Sequence, residues 1–164
     1  KNVDRLLDAW LGLAPSLNEE VELVVAGPRG WAASATFERL RTAGNSVRYL
    51  GYVPETDLPP LTAGATVFAY PSLYEGFGFP VAQALACGVP ALVSNVSSLP
   101  EVAGEAGWLV DPNSVEEIRA GLGRLLLSPT LREDLARKAR LHASHFRWDL
   151  CAERSLEFFR RAAG

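Results

Sequence analysis

Five short apolar runs, residues 21–26, 47–50, 65–70, 91–94 and 107–110, alternate with segments whose apolar positions recur at helical spacing. Strands separated by crossovers of a dozen or more residues pair in parallel with right-handed connections, which leaves few folds open. The 65–70 run is apolar on both faces, as a central strand of a parallel sheet would be. Val3, Leu6, Leu7, Trp10, Leu11 and Ala14 mark the first helix, with Asn2 as its cap and Pro15 as its end. The turn Gly27-Pro-Arg-Gly30 closes the first strand, and a second helix covers 33–42. A short helix over 55–61 survives Pro59 and Pro60, another spans 80–87, and Ser98 with Glu101 has capping-box spacing for the next. From Ser114 onward helices are expected over 115–127, 131–144 and 149–162. The expected fold is α/β: a Rossmann-like, doubly wound parallel sheet with a helical C-terminal tail, residues 114–164, in a single domain.

A chain of 164 residues, 48% hydrophobic, can bury one core. It has no apolar run of the roughly 18 to 20 residues that span a bilayer, and no basic stretch followed by a signal-like apolar one. A cytoplasmic location is therefore expected. Charge is uneven: residues 1–113 carry 6 basic and 12 acidic side chains, residues 114–164 carry 10 and 7. The basic tail is either a solvated helix face or a weak contact for the inner face of a membrane; no nucleic-acid partner is expected. Cys87 and Cys151 read as reduced packing residues, and His142 with His145 lacks the further ligands of a zinc site. The chain has no methionine, and Lys1-Asn2 leads into a helix with no strand before it. The expectation is a fragment of something larger, cut near its left edge.

The chemistry concentrates where the 65–70 strand gives way to a helix. Ligands of open α/β sheets bind outside the carboxyl ends of the strands. Gly76 and Gly78 allow a tight turn and close backbone approach, and Pro80 suits the first turn that follows. Gly88, with Pro90 beyond it, stops that helix. Val81, Ala82, Ala84, Leu85, Ala86 and Cys87 mark the helix as buried, with Gln83 its single polar side chain, an amide that needs partners. Free N–H groups before the helix form an anion site suited to phosphate. Gly76-Phe-Gly78 is not a dinucleotide fingerprint, since the third glycine falls on Val81, and two glycines that merely turn the chain are the plain alternative. Glu75 adds a carboxylate beside the anion site, an acceptor for ligand hydroxyls. Hydroxyls next to phosphates describe a nucleotide sugar.

The run Tyr70-Pro-Ser-Leu-Tyr-Glu-Gly-Phe-Gly-Phe-Pro80, continued by Ala84-Leu-Ala-Cys-Gly-Val-Pro90, resembles the signature of glycosyltransferase family four. Lys1-Asn2, Leu23-Val-Val-Ala-Gly27, Gly51-Tyr-Val-Pro54, Ser94-Asn95, Ser97-Ser-Leu-Pro-Glu-Val102 and Leu109-Val-Asp-Pro112 extend the likeness over nearly the whole chain. The resemblance implies the donor-binding, C-terminal half of a retaining GT-B enzyme that moves a hexosyl group from a nucleoside-diphosphate sugar to an acceptor. It implies that Glu75 and Lys1 are catalytic, Glu75 receiving the sugar hydroxyls and Lys1 neutralising the leaving diphosphate. The amides of Gly76, Phe77 and Gly78 would hold sugar and diphosphate, and Tyr52 and Val53 would contact the base. An N-terminal acceptor domain is the implied partner. No metal or other cofactor is expected, and no Asp-x-Asp pair is present.

One position departs from the pattern. The family has a second glutamate where this chain has Gln83, and that carboxylate holds the ribose. A charged hydrogen bond contributes about 1.5–3 kcal/mol against about 0.5–1.5 for a neutral one, so the expected loss is about tenfold in donor affinity. Gln83 leaves open a nucleotide-sugar-binding module with lapsed catalysis; an isomerase or hydrolase on the same fold would share the site.

Overall fold

The computed structural model describes residues 1–13, 15–28 and 34–164. In chain order the elements are α1 (Val3–Leu11), α2 (Pro15–Glu20), β1 (Leu23–Ala26), α3 (Ser34–Thr42), β2 (Val47–Gly51), α4 (Leu58–Ala63), β3 (Phe68–Tyr70), α5 (Phe79–Ala86), β4 (Ala91–Ser94), α6 (Leu99–Ala103), a 3-10 turn (Gly104–Ala106), β5 (Gly107–Val110), α7 (Val115–Leu127), α8 (Pro129–Ala143) and α9 (Trp148–Ala162). Ala14, the Arg29-Gly30 part of the expected turn and the expected helix start at Ala33 lie outside the described residues.

All strand pairs are parallel, as the alternation requires. They form two ladders among the described residues, β1–β2 and β3–β4–β5, where one continuous sheet was expected. Residues 65–67 do not join a strand. Gly64 N–H bonds Pro60 O and Ala65 N–H bonds Thr62 O, so the end of α4 uses this backbone and β3 starts only at Phe68. The central, fully buried strand is therefore β4, and β3 is half-buried.

The β4 side chains divide two cores by simple alternation. Leu92 joins Leu7, Trp10, Ile118, Leu122 and Leu125 beneath α1 and α7. Ala91 and Val93 join Val81, Leu85, Leu99 and Val102 beneath α5 and α6. A sheet covered on both faces is what the doubly wound reading demands. Truncating fully buried Leu92 to Ala would cost about 2–5 kcal/mol.

Helix boundaries follow local chemistry with instructive exceptions. Pro15 opens α2 instead of merely ending α1, because a first helical residue has no use for its N–H. Pro59 and Pro60 fall in the first turn of α4 for the same reason. At the end of α5, Gly88 takes φ 72°, its N–H bonds Leu85 O, and Val89 N–H bonds Ala84 O, a complete Schellman stop. Two expected caps do not form. Asn2 makes no cap bond; its Nδ2 donates to Pro71 O at 2.9 Å and Pro112 O at 2.7 Å, tying the chain start to the loops after β3 and β5. Ser98 likewise makes no cap bond, so the capping box with Glu101 is absent.

Helix α8 packs on α5 and the 3-10 turn through two glycine notches. Arg140 fills the space a side chain at Gly88 would need, and the His142 ring lies 2.6 Å from where a Cβ on Gly104 would stand. Helix α9 has no buried residue, and Trp148, Leu156, Phe158 and Phe159 are exposed. Among the described residues no helix is long and apolar enough to cross a membrane.

Candidate functional site

The loop between β3 and α5 is held by serine hydroxyls from the β4 side. Ser94 Oγ donates to Ser72 O at 2.6 Å, and Ser72 Oγ donates to Glu75 Oε1 at 2.7 Å. Glu75 N–H donates to Ser97 Oγ at 3.2 Å. The Ser98 hydroxyl, which a cap would have used, lies 2.9 Å from Glu75 O and 2.8 Å from Phe77 O and donates to either. Ser97 sits at φ 55°, a left-handed conformation that costs a non-glycine residue about 1–2 kcal/mol. Such strain persists only where the surroundings fix it, and it gathers at functional sites.

Glu75 and Lys1, far apart in sequence, are brought together. Lys1 Nζ donates to Glu75 Oε1 and to Tyr70 Oη, both at 2.6 Å, and lies 5.1 Å from the Tyr70 ring centroid. The Glu75 side chain is 14% exposed and that of Lys1 60%. Burial pushes the Glu75 carboxyl up, but hydrogen bonds from Lys1, Ser72 and Tyr70 outweigh it and hold the group below the ordinary glutamate value. Burial lowers Lys1, and the bonds to Glu75 and Tyr70 more than offset that, holding it above the ordinary lysine value. Burial raises the Tyr70 phenol. The carboxylate is thus ionised and oriented at neutral pH.

The two glycines of the loop do different things. Gly78 has φ 109°, and a Cβ there would stand 2.6 Å from Leu99 Cδ2. Gly76 needs no special backbone angle, and nothing among the described residues lies within 4 Å of where its Cβ would be. The bare Gly76 backbone leaves room for close approach of something outside the protein. From Gly76 to Phe79 four consecutive amides make no hydrogen bond within the described residues, at the N-terminus of α5. This arrangement can receive anionic oxygens.

Gln83 departs from expectation. It is exposed, not buried, and its amide makes no hydrogen bond within the described residues. Helix α5 buries Val81, Ala82, Ala84 and Leu85, while Phe79, Gln83 and Ala86 form an open stripe at i, i+4 and i+7. Gln83 faces an open cleft of about 1590 Å³ shared with Lys1, Tyr70, Leu73 and Pro80, and with Tyr52 and Val53 from the loop after β2. Tyr52 is 71% exposed. Glu75 and Gly76–Gly78 do not line this cleft, so Lys1 and Tyr70 are the link between the two groups. Tyr70, Ser72 and Ser97 were not singled out from sequence; Tyr70 and Ser97 meet Lys1 and Glu75 across 69 and 22 residues, where only the fold pairs them. Among the described residues no group of three His, Cys, Asp or Glu side chains could hold a metal ion.

A family model described as glycosyl transferases group 1 matches residues 1–142. The chain is 40% identical over 162 residues to O-antigen chain mannosyltransferase B of Escherichia coli, covering 98% of this chain and 42% of that protein. It is 35% identical over 169 residues to MMP alpha-(1->4)-mannosyltransferase of Mycolicibacterium hassiacum, covering 99% and 40%. The chain thus spans about two-fifths of the length of these relatives. The fold superposes with a TM-score of 0.80 on HepE of Anabaena, solved in complex with UDP-glucose, at 20% identity over 98% of this chain and 45% of that one.

Proposed function

The chain belongs to the glycosyl transferases group 1 family, and on that premise we propose that it is the donor-binding half of a retaining hexosyl transferase. It takes a nucleoside-diphosphate sugar and presents the sugar to an acceptor held by a further domain. One observation carries the reading: four amides that make no hydrogen bond within the described residues, beside an ionised, oriented carboxylate and its lysine partner. The amides of Gly76, Phe77 and Gly78 receive the diphosphate. Glu75 accepts from sugar hydroxyls. Lys1, already poised at the loop, follows the charge that develops on the leaving diphosphate, where electrostatic stabilisation has the largest effect. With these groups and the end of α5 meeting the anion, the proposed chemistry uses no metal. Tyr52 and Val53 lie against the base, and Gln83 offers its amide to the ribose. Two mannosyltransferase relatives above one-third identity favour a mannosyl donor. The exposed apolar face of α9 packs on the further domain. We place the protein in the cytoplasm, with the basic 114–164 segment able to touch an anionic membrane face.

Calorimetric titration with GDP, GDP-mannose, UDP and UDP-glucose tests the site. One sugar nucleotide should bind, and Glu75→Ala should weaken it by roughly tenfold or more while weakening its nucleoside diphosphate less. Equal weakening of both would remove Glu75 from the sugar, and no binding by any of the four would sink the donor reading.

A further inference from the structure

Four aromatic rings join the glycine loop to the start of α9. Phe77 and Phe79 have centroids 4.9 Å apart. Phe146, between α8 and α9, meets Phe77 edge-on at 5.7 Å and 88°. Trp148, the first residue of α9, stacks on Phe79 at 6.3 Å. Phe146 is anchored in turn: its ring meets His142 edge-on at 5.2 Å, and His142 Nε2 lies 3.0 Å from Val102 O. The His142 ring occupies the notch at Gly104.

Phe77 is therefore gripped at two points. Its ring is held from the α8–α9 side and its carbonyl oxygen by the Ser98 hydroxyl. Fixing the Phe77 carbonyl fixes the direction of the Gly78 N–H, which shares its peptide plane, and holding the ring restricts the swing of the Phe77 N–H. Those two amides make no hydrogen bond within the described residues, so their aim depends on how the residues beside them are held. We infer that Phe146, assisted by Trp148, is a positioning residue for the loop: it aims the Phe77 and Gly78 amides and so sets affinity for the donor's diphosphate. The ligand in this statement rests on the donor reading above; the ordering of the loop does not.

Backbone order parameters of the full chain, measured by NMR without ligand, compare the natural sequence with Phe146→Ala and Phe146→Tyr. The natural loop should read near the rigid value of about 0.85 at Gly76–Gly78, and Phe146→Ala should drop it toward about 0.6 while Leu85 and Val93 stay rigid. GDP-mannose and GDP should then bind roughly three- to tenfold more weakly, the size expected for one lost aromatic pair. Phe146→Tyr, which keeps the edge-on ring, should restore both. A loop that is already mobile in the natural chain, or unchanged in Phe146→Ala, overturns the inference. So does equal loosening of Leu85 and Val93, which would make Phe146 a general packing residue. If Phe146→Ala fails to fold, Trp148→Leu at the exposed end of the cluster gives the same readout at smaller size. A natural chain that binds no sugar nucleotide defeats the donor reading, while the order parameters still decide the positioning.

Discussion

Around Glu75, the side chains of Lys1, Tyr70, Ser72, Glu75, Ser97 and Ser98 are each hydrogen-bonded within the chain, whereas around Gln83 the polar groups face open space. The first region is organised before any ligand arrives. The second is only carried into place by α5 and the loop after β2. Preorganised polar groups meet developing charge without reorganisation, which is why the charged half of a site is the half that has to be folded in. On the proposed reading the open half contributes affinity alone, so a neutral amide can stand there in place of a carboxylate without disturbing the fold. The contrast predicts that changes around Glu75 reach both stability and binding, and changes around Gln83 reach binding only.

The largest expected effect separates the two loop glycines. Gly78→Ala should destabilise by about 3 kcal/mol, from the unfavourable backbone angle and the clash with Leu99, seen as a lower urea midpoint. Gly76→Ala should leave that midpoint within about 0.5 kcal/mol, because nothing among the described residues lies within 4 Å of its Cβ, yet weaken sugar-nucleotide binding roughly tenfold if the diphosphate lies there as proposed. If Gly76→Ala binds normally, the loop is not where the diphosphate lies. On the open side, Gln83→Glu should raise donor affinity by up to about tenfold with no change in urea midpoint; a loss of stability would show that Gln83 has a structural task. Lys1→Ala should lower stability by only about 0–1 kcal/mol, since the lysine end of the pair is exposed to solvent. Its signature is instead in titration. Glu75 is held below its ordinary value, so its stabilising contribution is complete above that value and is lost as pH falls through the lowered one. Lys1→Ala should move the Glu75 carboxyl upward by NMR titration, and an unmoved midpoint would mean the pair does not form in solution.

What could be read in advance was whatever depends on neighbours in sequence. Gly88 followed by Pro90 announced the end of α5, and the strand-helix alternation announced parallel pairing. Asn2 and Ser98 were misread as caps because the fold turns their side chains elsewhere: Asn2 Nδ2 donates to the carbonyls of Pro71 and Pro112 while its Oδ1 accepts from Arg5, and Ser98 Oγ donates toward the carbonyls of Glu75 and Phe77. The exposure of Gln83 was legible in principle: Phe79, Gln83 and Ala86 already trace one face of a helix, but the apolar composition of α5 hid it. The pairing of Lys1 with Tyr70 and Glu75 had no local signal at all, since both contacts span about seventy residues of chain.

The two notches that seat α8 have a mechanical meaning. Arg140 in the space at Gly88 and His142 in the space at Gly104 work as two dowels do in a joint, stopping α8 from sliding or rolling on the domain. With α8 pinned, α9 becomes a lever of about 22 Å whose fulcrum is the Phe146–Trp148 corner. A load on its free apolar face would be delivered at that corner, one ring away from the glycine loop.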